Sequence, residues 1–175
     1  MVTSDPTIDA VLDHHRTALG NDFVGYRNHV YRVVNLCLAL GGDNRDNREK
    51  ITVAAVFHDL GIWTACTFDY IAPSASLARE YLAVRSRTDW IPEIEAMILN
   101  HHKITPAGGG RLVESFRHAD WIDVSRGVRR FGLARPFIAS LIATWPSAGF
   151  HWRLVELTLE RFRRHPLTPL PMVKL

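Results

Sequence analysis

The stretch Ala54-Ala55-Val56-Phe57-His58-Asp59-Leu60-Gly61 is an apolar run of helical length that ends in an adjacent imidazole and carboxylate. With Ile51 and Val53 it makes a helix that is apolar nearly all round, the pattern of a segment at the centre of a bundle. The Gly-containing segment after it is read as the helix stop. Burying an ionisable Asp there costs several kcal/mol unless a charge or hydrogen bond compensates. A divalent cation would compensate it, and so would a capping role beside a core histidine. What separates the two is the company the pair keeps: His29 upstream, His101 and His102 downstream, then Asp120 and Asp123.

Around this stretch almost every segment has a helical period and strand-like alternation is scarce, so the chain is expected to be all-α. Asp5-Pro6 reads as N-cap and first helical residue of a helix reaching about Leu19. Asp22 is expected to cap a second helix from Phe23 to Leu40, ended by Gly41-Gly42, with His29 beside its apolar stripe. After the apolar helix, an aromatic loop with Trp63, Phe68 and Tyr70 leads to a helix capped by Ser74 or Ser76. That helix carries Glu80, which is expected to point at the site. Trp90-Ile91-Pro92 opens the next, which ends in Asn100-His101-His102-Lys103. Two imidazoles at a helix C-terminus are favoured by the helix dipole and also suit a site, and both explanations stand. From Arg111 the period resumes; Asp120 and Asp123, three apart, share a face. A short helix from Phe137 to Trp145 and an amphipathic one with Trp152, Leu154, Val155, Leu157, Leu159 and Phe162 complete the pattern.

A chain of 175 residues can bury a core without staples, which fits one bundle over residues 1–165 and a tail over 166–175. Pro166, Pro169 and Pro171 keep that tail from continuing a helix, so it should lie across the surface or dock on a neighbour, leaving a homo-oligomer open. Both cysteines read as free thiols, and no apolar run is long enough for a membrane span, so the expected setting is soluble and cytoplasmic. The net charge of +3 is small, and Arg126, Arg129, Arg130 and Arg161, Arg163, Arg164 form short clusters rather than a stripe. That argues against a nucleic-acid polymer and is compatible with a small anionic substrate.

His and Asp together suit a divalent first-row metal held at about 2.0–2.2 Å. The order His29, His58-Asp59, Asp120 resembles the HD superfamily of metal-dependent phosphohydrolases, whose signature is H…HD…D on an all-helical bundle. The resemblance spans roughly residues 22 to 126, and Ala119-Asp120 looks like the Ala-Asp pair that carries the last ligand in many members. It implies that His29, His58, Asp59 and Asp120 bind one divalent ion (Mn, Co, Mg, Fe, Ni or Zn), with Asp123 supporting a ligand. His101-His102 is similar to the subset with further histidines, which includes di-iron oxygenases and cyanamide hydratase-like lyases. This chain departs from the di-iron pattern because no histidine lies between Asp59 and His101, Glu80 being the nearest substitute, so one metal is expected.

The resemblance implies hydrolysis of a phosphate mono- or diester, a nucleotide being one such substrate. Asp59 would orient or deprotonate the attacking water, His102 would protonate a leaving oxygen, and Lys103, Arg32 or Arg126 would neutralise phosphate charge. A hydratase or oxygenase on a small molecule is the second class, and a non-catalytic helical binding domain the third.

Overall fold

The computed structural model describes every residue except Pro169, Lys174 and Leu175, so the part of the tail at Pro169 lies outside the described residues. Among the described residues there are ten α-helices and no strand. They are α1 (Pro6–His14), α2 (Arg16–Leu19), α3 (Phe23–Gly41), α4 (Arg45–Phe57), α5 (Gly61–Thr64), α6 (Ile71–Val84), α7 (Ile91–Asn100), α8 (Arg111–Val124), α9 (Arg135–Thr144) and α10 (Phe150–Arg164). Among the described residues no helix is long and apolar enough to cross a membrane.

The longest helix, α3, packs against α8 on one side and α4 on the other, while α7 closes the ring by touching α4, α6 and α8. Every residue of α4 from Ile51 to Phe57 is buried, which is what an apolar surface on all sides requires. Asn44 caps α4 by accepting from the Asn47 N–H, and Asp5 caps α1 by accepting from Thr7 and Ile8 N–H groups. Gly42, at φ 93°, ends α3.

Several local expectations are corrected. Asp22 does not cap α3; a 3-10 turn (Gly20–Asp22) precedes it, and the carboxylate instead accepts from Trp63 Nε1 at 2.8 Å and pairs with Arg153 at 3.1 Å. Ser74 lies inside α6, where its Oγ accepts from the Gly61 N–H at 2.9 Å. Gly61 is no helix stop: α4 ends at Phe57, His58 to Leu60 form a turn, and Gly61 starts α5. It is small because α6 is close, since a Cβ there would lie 2.5 Å from the Tyr70 carbonyl oxygen. On α10 the apolar residues fall on two faces. Leu154 and Leu157 pack on the bundle, whereas Trp152, Val155, Leu159 and Phe162 recur at three- and four-residue spacing on the opposite face and are exposed. From the tail, Met172 is buried and Val173 packs on the core.

Candidate metal centre

Two helix ends and two helix faces bring the chemistry together. His58 and Asp59 leave the C-terminus of α4, where the chain turns, so two neighbours that would point about 100° apart on a helix both face one point. His29 comes from the middle of α3, Asp120 from α8, and His101 and His102 from the end of α7. His29, His58 and His101 are fully buried, and Asp59 and Asp120 nearly so.

The orientation of the imidazoles is set from behind. His58 Nδ1 donates to the Ala55 carbonyl at 2.7 Å, and His101 Nδ1 donates to the Ile98 carbonyl at 2.6 Å. A carbonyl can only accept, so in the neutral rings the Nε2 atoms carry lone pairs and point inward. His29 Nδ1 donates to Asp123 Oδ2 at 2.7 Å, which turns its Nε2 to within 2.9 Å of His58 Nε2. Two lone pairs that close repel unless a cation lies by them. The Asp59 Oδ2 atom is 3.5 Å from both of these nitrogens, Asp120 Oδ1 is 3.7 Å from both, and Asp59 Oδ1 is 3.4 Å from His101 Nε2. Asp59 Oδ1, His101 Nε2 and both Asp120 oxygens have no hydrogen-bond partner among the described residues. Buried acceptors left bare in this way are costly, and their separations suit atoms that share an ion about 2.0–2.2 Å away. Three overlapping groups could each hold one: His29, His58 and Asp120; His58, Asp59 and His101; His101, His102 and Asp120.

The charges are adjusted to match. Burial pushes the Asp59 and Asp120 carboxyls up, but the surrounding imidazoles outweigh it and hold both below the usual carboxylate range. Burial pulls His29 down, while its bonds to Asp123 and Asp59 raise it to about 9. His102 goes the other way: burial, then the neighbouring His101, lower it to about 3. Its Nε2 is 2.7 Å from the Tyr70 hydroxyl and its Nδ1 is 3.5 Å from Asp120 Oδ2. His102 is also the member of the cluster nearest solvent, its side chain 16% exposed. Burial raises the Tyr70 hydroxyl well above its ordinary value, with Asp59 and Asp120 adding to the effect.

Not every residue singled out in the sequence is here. Arg32 is 1% exposed and wholly engaged: Nε and Nη2 donate to Asp123 at 2.5 and 2.9 Å, and Nη1 to the Trp145 carbonyl at 2.8 Å. It anchors Asp123 and has nothing left for a substrate. Arg126 sits beyond the end of α8, exposed, lining surface grooves against α9 and α10 and not the cluster. Glu80 is exposed on α6 and joins none of the donor groups, so it does not replace the missing histidine. Lys103 is half-buried next to His102, its carbonyl accepting from Arg117 and Trp121. His101 and Tyr70 were not assigned from the sequence. For His101 a signal was available, because it continues the buried spacing Ile94, Met97, Ile98 of α7; His102 falls on the same spacing, and only the structure shows it nearer solvent. Nothing in the order of residues points to the Tyr70 contact.

The family model for the HD domain matches residues 26–126 of the chain. No curated protein and no solved structure matches it.

Proposed function

This chain belongs to the HD domain family, and from that premise we propose that it is a metal-dependent phosphohydrolase acting on a small phosphate mono- or diester. The observation that carries the reading is the set of inward Nε2 atoms of His29, His58 and His101 facing two carboxylates with bare oxygens. Three imidazoles with two carboxylates suit Mn, Fe, Co, Ni or Zn better than Mg. Held by His29, His58, Asp59 and Asp120, a divalent cation supplies Lewis acidity, which activates water as a nucleophile at neutral pH and offsets charge on a phosphoryl oxygen.

The chain's own groups do the rest. Asp123, clamped by Arg32, fixes the His29 tautomer and ring plane. Asp59 faces imidazoles with both of its oxygens, Oδ2 towards His29 and His58 and Oδ1 towards His101, so its main part is to bind, and its part in orienting water is shared. With its pKa near 3, His102 is neutral at physiological pH. With Nε2 on the Tyr70 hydroxyl and Nδ1 towards Asp120, it would act with Tyr70 as a neutral hydrogen-bonding pair at the leaving oxygen rather than as a cationic acid. Lys103, which follows His102 in the chain, would supply the cation that meets substrate charge. The burial of the cluster favours a small substrate that enters past His102.

A second reading is favoured by His101. With it the cluster offers overlapping donor groups for two ions, and Arg32, bound to Asp123 and the Trp145 carbonyl, is not free to take a phosphate. Hydration or oxidation of a small molecule at a two-metal centre fits both facts. The two readings separate in one experiment. Elemental analysis of wild type and Asp59→Ala is followed by assays for phosphate release from p-nitrophenyl phosphate, its bis-ester and nucleotides, and for oxygen consumption with iron. Metal in wild type but not in Asp59→Ala, with phosphate released, supports hydrolysis. Two irons with oxygen uptake support the second reading. Equal metal in both proteins overturns the site, leaving a binding domain whose melting temperature ignores chelator.

A further inference from the structure

Away from the metal centre, a cavity of about 360 Å³ lies between α10 and the segment that joins α5 to α6. On one side it is walled by Arg153, Arg161, Arg164 and His165, on the other by Trp63 and Phe68. Residues 153, 157, 161 and 164 recur at helical spacing, so a single face of α10 supplies three guanidinium groups. Favourable interaction with the helix dipole accounts for basic residues in the last turn. It does not account for Arg161 and Arg164 turning into one cavity while Arg163 does not line it.

The two walls are tied together. Asp22 accepts from Trp63 Nε1 at 2.8 Å and pairs with Arg153 at 3.1 Å, which holds the indole opposite the helix. Arg153 is thereby engaged, and it also pairs with Glu156. Arg161 has only a 3.5 Å contact to the Thr168 carbonyl, and neither it nor Arg164 forms an ion pair among the described residues. Glu160 is the one acid of the lining. The cavity therefore combines uncommitted guanidinium groups, whose planar forks match phosphate oxygens, with an aromatic wall suited to a flat ring. Its volume is at the small end of ligand pockets, about 300–1,000 Å³.

We propose that this cavity binds a phosphate ester carrying a planar ring, of the size of a nucleoside monophosphate, with the phosphate on Arg161, Arg164 and His165 and the ring against Trp63 and Phe68. It is not the metal centre seen from another side. No metal-centre residue lines it, and the Trp63 and Tyr26 rings, 4.7 Å apart, stand between it and His58, whose ring is a further 6.4 Å from that of Tyr26. The inference is independent of which reaction the metal centre performs.

The test is titration of the full chain with AMP, adenosine and inorganic phosphate, followed by calorimetry and by tryptophan fluorescence, with and without chelator. AMP is expected to bind with or without chelator, with adenosine and phosphate each weaker by about tenfold or more. The double variant Arg161→Gln, Arg164→Gln changes surface side chains only. It should bind AMP at least about tenfold more weakly while metal content and melting temperature stay as in wild type. Phe68→Ala should weaken AMP and leave phosphate unchanged. AMP binding that survives the double variant, or that vanishes with chelator, overturns the proposal, as does a wild type that fails to bind AMP at millimolar concentration. Phosphate binding as tight as AMP overturns the ring assignment.

Discussion

Asp123 receives His29 on one oxygen and the Arg32 fork across both, and the Arg32 fork also reaches the Trp145 carbonyl. Removing its charge with Asp123→Asn leaves the Arg32 guanidinium buried without a counter-charge, which costs about 3–5 kcal/mol. It also frees the His29 ring, which should lower metal affinity by roughly 10–100-fold. Urea unfolding measures the first and metal titration the second. Histidine 29 also makes a pH prediction. Its folded pKa is raised to about 9 from 6.5, so its contribution to stability is complete below 6.5 and is lost as pH rises through about 9. Chelator-treated protein should therefore lose stability across that window. Added metal should flatten the loss, since it takes the place of the imidazolium proton. Denaturation midpoints from pH 6 to 10, with and without Mn²⁺, would show it.

At the scale of elements, the turn from α4 into α5 decides whether His58 and Asp59 address one point. Gly61 lets that turn sit against α6, and a methyl group there would meet the backbone of Tyr70 rather than a movable side chain. Gly61→Ala is expected to cost roughly 1–3 kcal/mol by overpacking. It should also displace Tyr70 from His102, so that turnover falls further than stability alone predicts. The end of α7 makes a parallel case. His101 lies on the buried stripe of its helix and faces Asp59, whereas His102 leans to the rim. His101→Ala should lower the metal bound per chain or its affinity by tenfold or more, and His102→Ala should leave metal content intact while reducing kcat. Elemental analysis beside steady-state kinetics distinguishes these.

For the whole molecule, an ion on His29, His58, Asp59 and Asp120 would add a tie between α3, α4 and α8 to the apolar packing and to the bonds of His29 and Arg32 with Asp123 that already join α3 to α8. Ligation of the folded state alone adds stability by mass action, about 2.7 kcal/mol at a hundredfold excess over Kd. The melting temperature should rise with added Mn²⁺ or Co²⁺ and fall with chelator in wild type, and respond to neither in Asp120→Asn.

Much of the molecule was legible along the chain. The helical period, the cap at Asp5 and the stop at Gly42 are local preferences of backbone and side chain, and they set the bundle. The pairing of His58 with Asp59 at the end of an apolar helix was equally plain, because a carboxylate there needs a partner. What folding alone decided were distances between segments far apart in sequence. Arg32 looks like a free cation on paper and proves to be spent on a carboxylate from α8, ninety-one residues later. Ser74 and Asp22 look like caps and instead serve other elements, and α10 presents two apolar faces of which the bundle can cover only one. The physical reason is the same in each case: periodicity and capping are properties of a few neighbouring residues. Which donor satisfies which buried acceptor depends on the packing of helices, and no local preference encodes it.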